Sequence, residues 1–287
     1  MTGHQSRPAV PFIDYMELKT STSPDTPEGV HSHPRRLRLA SFNIQTGIST
    51  ASYRDMITGS WRHVWPSRKR LPNLNRIAQL LKPFDIVGLQ EVDGGGLRSH
   101  KIVQTQYLAE HGGFPHWHNQ VNRRMGPIAM HSNGLLSRIK PHEIHDYKLP
   151  GLPGRGVVLA RYGRGHTSDE LLAVCVVHLA LSQRARMRQL GFVAELLKPH
   201  THAVVMGDFN CEPHSPELQW LTRSTELCDP ACVVNTWPSW QPHRMIDHIL
   251  VTPSLRVEHL QALHFPCSDH LPITMDVILP PKLTLHA

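Results

Sequence analysis

Past a polar, proline-punctuated opening, the hydrophobic positions fall into two alternating patterns. Short apolar runs occur at LRLASFN (37–43), FDIVGLQ (84–90), GVVLARY (156–162), LLAVCVVHL (171–179), HAVVMGDF (202–209), MIDHILVT (245–252) and ITMDVIL (273–279). Their length and β-branched content predict strands. Between them lie segments with helical spacing. In NLNRIAQLLK, Asn73 is the expected N-cap, with Leu74, Ile77, Ala78 and Leu81 on one face. In SQRARMRQLGFVAELLK, Ser182 caps a helix that aligns Met187, Leu190, Val193, Ala194 and Leu197. SPELQWLTR has Ser215 as cap, Pro216 at the first helical position and Glu217 near the positive end of the dipole. Strands interspersed with helices predict an α/β protein whose helices cover sheet faces.

Residues 1–36 lack sustained periodicity and are rich in Ser, Thr, Pro and charge, so they are expected to form an N-terminal arm ahead of one catalytic domain over 37–287. With 40% hydrophobic and 18% charged residues, the chain is globular rather than disordered. No run is long enough for a membrane-spanning helix, and the start has no apolar signal segment, so the expectation is a cytoplasmic protein without integral membrane association, acting as a monomer. Five scattered cysteines argue against a disulfide framework. Cys228 and Cys232 would meet on a helix, but no second ligand pair stands at zinc spacing. The 22 histidines are dispersed; pairs such as His116/His118 are expected on loops or the surface. A formal charge of +7 favours an anionic partner.

The chemistry lies at the strand ends. Asn43 closes the first run, Glu91 follows the second, and His178 ends LLAVCVVH. GDFN delivers Asp208 and Asn210, Asp247 opens MIDHILVT, and CSDHLP sets Asp269 and His270 before the last strand. Asp and Asn are common where strands turn, because their side chains bond nearby backbone groups. Turn chemistry alone does not account for six separate strand edges each presenting an acid, an amide or an imidazole. Together Glu91, Asp269 and the Asn43 carbonyl offer hard oxygen ligands of the type Mg²⁺ prefers, with Mn²⁺ an alternative. Asn210 and His178 can donate to phosphate oxygens, Asp208 can orient or deprotonate water, and Asp247 can fix the His270 tautomer.

In this order SFNIQ, GLQEVD, NGLLSR, VVHLAL, GDFN, MIDHILV and SDHLP resemble the endonuclease/exonuclease/phosphatase superfamily, to which pancreatic deoxyribonuclease and neutral sphingomyelinases belong. The resemblance spans residues 38–278 and implies a four-layer α/β sandwich, with two packed mixed β-sheets flanked by helices and the site at one sheet edge. It implies that Asn43, Glu91 and Asp269 hold a divalent metal, and that Asp208, Asn210 and His178 handle water and phosphate. It also implies that Asp247 pairs with His270; either Asp208 or His270 is the general base.

Substrate choice is less marked. Arg155 starts a strand near the expected cleft, Trp237 and Trp240 precede Asp247, and Arg184, Arg186 and Arg188 follow His178. Arg155, Arg186 and Trp237 are therefore candidate substrate contacts, though an Arg is often only solvated and a Trp often only anchors its loop. The basic charge and the Arg-rich helix favour a phosphodiesterase acting on nucleic acid. The alternative is a phospholipid or sphingolipid head-group phosphodiesterase, which would require an exposed apolar loop that is not evident in the sequence. A catalytically silent module of the same fold would have no physical need for all eight polar groups.

Overall fold

The computed structural model describes residues 36–48, 70–151, 153–165, 167–229 and 232–285. Among the described residues, eleven strands form two sheets. They are β1 (Arg36–Asn43), β2 (Ile86–Asp93), β3 (His116–Met125), β4 (Ala129–Ser137), β5 (Glu143–Lys148), β6 (Gly156–Gly163), β7 (Leu171–His178), β8 (His202–Asp208), β9 (Asp247–Val251), β10 (Arg256–Ala262) and β11 (Ile273–Ile278). The helices are α1 (Arg70–Leu81), α2 (Gln104–Gly112), α3 (Gln183–Leu197) and α4 (Pro216–Ser224). One sheet has the order β10-β11-β1-β2-β4-β3 and the other β5-β6-β7-β8-β9. Each is antiparallel except for one interior pair, β1 with β2 and β7 with β8.

Strand alternation builds the layers. On β7, Leu172, Val174 and Val176 face the other sheet, where they meet Leu39, Ile86, Leu135 and Met275. The intervening Ala173, Cys175 and Val177 face Leu190, Val193 and Leu197 of α3 and Leu218 and Leu221 of α4. Across the molecule, Leu37 and Leu39 of β1 point inward, while Ala40 and Phe42 pack with Leu74, Ile77 and Leu81 of α1 and Leu108 of α2. The result is helices, sheet, sheet, helices, with buried strands that read as continuous apolar runs because both faces are covered. Gly88 lets the sheets approach closely: a Cβ there would lie 3.0 Å from a Val176 methyl.

All seven expected strands are present. The four that the hydrophobic pattern did not give are β3, β4, β5 and β10, three of which are sheet edges. Those three leave much of their side-chain surface in water and so carry polar residues, whereas β9, also an edge, is buried throughout and reads as an apolar run. His116 and His118 accordingly lie in β3 and not on a loop. Asn73 is also corrected: α1 begins at Arg70, and the Asn73 amide lies inside the helix, donating to the Gly47 carbonyl at 3.2 Å and the Cys267 carbonyl at 2.7 Å. Ser182 and Ser215 occupy the N-cap positions as expected, but neither side chain makes a capping bond. On α3 the buried face includes Gln189, whose amide oxygen accepts from Ala180 N at 2.8 Å, whereas Met187 is half-buried. Cys228 and Cys232 are exposed free thiols outside any helix. The N-terminal arm lies outside the described residues except for Arg36, which opens β1.

Candidate active site

The C-terminal ends of both parallel pairs converge on one cleft. In the five-stranded sheet the register sets His178 beside Asp208, and Asp208 beside Asp247, in one row across β7, β8 and β9. In the six-stranded sheet Asn43 pairs in register with Gln90, next to Glu91. A bulge between Leu89 and Val92 interrupts the pairing with β4, and Glu91 takes φ +56°. That conformation is costly for a Glu and is held here by the surrounding sheet. Asn43 then joins the two halves, its Nδ2 donating to Asp208 Oδ2 at 3.0 Å.

GDFN has a local cause for each residue. Gly207 has φ +154°, and a Cβ there would stand 1.9 Å from the Val177 carbonyl oxygen, so only glycine lets β8 close against β7. Asp208 Oδ1 accepts the backbone N–H of Asn210 at 2.9 Å, a turn that holds Asn210 at φ +53°. Asn210 Nδ2 donates one hydrogen to the Leu179 carbonyl at 3.0 Å, and among the described residues its second hydrogen meets no acceptor. Turn formation and site chemistry thus use the same side chains.

Arg155 Nη1 lies 3.0 Å from His178 Nδ1. A guanidinium can only donate, so Nδ1 accepts and the imidazole proton sits on Nε2. That atom faces Asp208 Oδ2 at 3.4 Å and Glu91 Oε1 at 3.9 Å. Burial, together with the Arg155 charge, holds His178 well below its ordinary pKa, so it is a neutral donor. His270 is the opposite case. Burial alone would lower it, but Asp247 and Asp208 outweigh burial and hold the imidazole well above its ordinary value. Its Nδ1 donates to Asp247 Oδ2 at 2.8 Å, and Thr236 Oγ1 donates to the same oxygen at 2.5 Å. Asp208 is pushed up by burial, against the pull of His270.

Asp208, Asp247 and His270 bring ligand-type atoms within 4.8 Å of one another. All three are buried and tied to each other or to Asn43 and Asn210, which suits proton handling better than an ion. The pair Glu91 and Asp269 is different. Neither is fully buried, and the Glu91 carboxyl is raised by its recessed setting and then by the Asp269 charge. Two neighbouring carboxylates beside the Asn43 amide have the donor chemistry of a divalent-cation site. Ser268 Oγ links this part of the cleft together, donating to the Asn43 carbonyl at 2.7 Å and lying 3.1 Å from Asp269 Oδ1.

The Endonuclease/Exonuclease/phosphatase family model matches residues 40–270. The chain belongs to the endonuclease/exonuclease/phosphatase family. No curated protein matches it in sequence. Among solved structures, a family protein from Beutenbergia cavernae DSM 12333 shares 22% identity with a TM-score of 0.66, over 85% of this chain and 72% of the other. A mannosyl-6-phosphatase from Bacteroides thetaiotaomicron VPI-5482 shares 19% (TM-score 0.62; 85% and 100% covered). The human Nocturnin catalytic domain, solved with a bound sulfate anion, shares 17% (TM-score 0.61; 85% and 94% covered). At these identities the likeness concerns the fold. Members of the endonuclease/exonuclease/phosphatase family are generally phosphoester hydrolases, and the fold typically uses a divalent metal.

The eight strand-end residues are thus gathered at one edge of the two sheets. Arg155 is at the cleft too, through His178. Arg186 is drawn to Glu217, its Nε 2.6 Å from Oε1, and Trp237 packs against Arg244 and His243, 5.6 Å from the guanidinium carbon and 6.1 Å between rings. Arg244 pairs with Glu212 at 2.7 Å and not with Asp247. Thr236 was missed, and Ser268, though it opens the SDHLP motif, was given no role: small hydroxyl residues inside loops show what they bond only with the fold around them.

Proposed function

We propose that the protein is a divalent-metal-dependent phosphodiesterase, with nucleic acid the favoured class of substrate. The observation that carries this reading is the convergence of the His178–Asp208–Asp247 row with Asn43 and Glu91 across two sheets. Glu91 and Asp269, with Asn43, would hold the metal, which when bound supplies charge neutralisation at phosphate. His178, kept neutral by burial and by Arg155, donates from Nε2 to a phosphate oxygen, and Asn210 donates its second amide hydrogen. Asp208 orients water and accepts its proton, while the protonated His270, steadied by Asp247 and Thr236, lies 3.8 Å from Asp208 and balances its charge. The net charge of +7 supports a polyanionic substrate.

Lipid head groups are the second reading, favoured by one observation. Leu97, Met125 and Ile128 are exposed together where the turn after β2 meets the β3–β4 hairpin, with Arg123 and Arg124 beside them. The test is turnover of bis-p-nitrophenyl phosphate in Mg²⁺, Mn²⁺ and EDTA, followed by single-stranded DNA, duplex DNA, RNA and phospholipid vesicles. Metal-dependent cleavage with DNA or RNA ahead of vesicles is expected. Equal turnover in EDTA would sink the metal assignment, and preference for vesicles would replace nucleic acid with lipid.

A further inference from the structure

Beside Asn210 opens a cavity of about 350 Å³, walled by Arg186 from α3, by Cys211, Glu212, His214 and Ser215 from the segment before α4, and by Arg244 from the loop preceding β9. The reaction as derived above uses none of these side chains except Asn210. Two guanidiniums from separate elements face it, and each is held in place by a carboxylate. Arg186 Nε bonds Glu217 Oε1 and its Nη1 reaches the Leu181 carbonyl, while Arg244 Nε bonds Glu212 and its plane lies near the Trp237 ring. Among the described residues, Arg186 Nη2 and both Arg244 Nη atoms take no protein acceptor. Held forks with uncommitted N–H groups match the oxygens of a phosphate. Each guanidinium is paired through Nε with one carboxylate, Glu217 for Arg186 and Glu212 for Arg244, so what the cavity offers an anion is the outward Nη edges of the two forks.

We propose that this cavity is a subsite for a second phosphate of the substrate, next to the one being cleaved. Its position follows from Asn210, which forms part of both the cleft and the cavity wall. The reading rests on the phosphodiesterase assignment and gives it a specificity: substrates with phosphates in series are taken in preference to isolated diesters.

Two measurements separate this idea from the catalytic assignment. The first is calorimetric titration of inorganic phosphate into full-length protein in EDTA. Without metal, phosphate can meet either the cleft, with Arg155 and the protonated His270, or the cavity, so saturable binding that the cavity variants weaken is what reports the cavity. Arg244→Gln should weaken it about tenfold or more, as expected for a lost charge-assisted bond. Arg186→Lys, which keeps a cation beside Glu217, serves as the second variant, and melting curves confirm that both remain folded. The second measurement is kcat/KM for the dinucleotide TpT against pTpT and TpTp. One phosphorylated form should exceed TpT by about tenfold, and Arg244→Gln should reduce that ratio toward one. Absence of saturable phosphate binding, or binding indifferent to both variants, overturns the subsite whatever the activity. Phosphate binding with neither phosphorylated dinucleotide preferred overturns the assignment to substrate.

Discussion

Replacing Asp247 by Asn isolates one charge at an almost fixed shape. Asp247 Oδ2 receives two donors, His270 Nδ1 at 2.8 Å and Thr236 Oγ1 at 2.5 Å, and the residue is 1% exposed. Its Oδ1 is buried without a protein hydrogen-bond partner. In Asp247→Asn the amide oxygen keeps both donors, so the new Nδ2 must occupy the Oδ1 position, where no acceptor waits. Two losses follow: a charge-assisted bond becomes a neutral one, and the His270 imidazolium loses its main stabilising neighbour. Hydrogen bonds to charged groups contribute about 1.5–3 kcal/mol, so kcat/KM should fall about ten- to 150-fold. His270→Gln should cost at least as much, and the double variant little more than His270→Gln alone, because a carboxylate–imidazole pair acts as a unit. The assay is kcat/KM for a diester in a double-mutant cycle. Losses that multiply, or an Asp247→Asn enzyme within threefold of wild type, would falsify the shared role.

Glu91→Gln should lose most activity and raise the Mg²⁺ concentration needed for what remains, with the melting temperature retained; metal titration of activity checks this. Gly207→Ala should destabilise the protein by about 3 kcal/mol or more, since the added Cβ meets the Val177 carbonyl oxygen at 1.9 Å and β8 cannot withdraw without breaking its pairing. Denaturant unfolding measures it, and a change under about 1 kcal/mol would mean that the two strands separate with ease. His131 is lowered to about 4 by burial and by Arg98. The unfolded chain therefore binds a proton near pH 6.5 that the fold refuses, so stability is full above that pH and declines as pH falls from about 6.5 toward 4. His131→Gln should flatten the decline in that window, and an unchanged pH profile would contradict the shift.

What was legible in the sequence follows from burial. β1, β2, β7 and β8 are covered on both faces, so they read as apolar runs, and their ends point to Asn43, Glu91, His178 and Asp208. The polar edges β3, β5 and β10 left no such trace, because their side chains are largely exposed or half-buried and need no apolar run. Arg155 stood out only as a charge at a strand start. That it donates to His178 Nδ1 depends on β6 lying beside β7, a pairing that local sequence does not encode. Asn73 looked like a cap because Asn before an apolar face is a common start signal. Its amide bonds carbonyls 26 and 194 residues away, contacts that no window around position 73 contains.

The Asn43 amide that joins the two sheets has a consequence for how the chain reaches its working state. Its partner Asp208 lies 165 residues further on, and the Ser268 hydroxyl that bonds its carbonyl lies 225 away. Neither sheet alone contains a working cleft, so either half of the chain, folded by itself, has no partial chemistry to offer. Such distant pairings close large loops, and chains governed by them fold slowly. The strand-end residues come together only when the sheets dock. During refolding, activity is therefore a late signal, returning after the secondary structure that each sheet builds for itself.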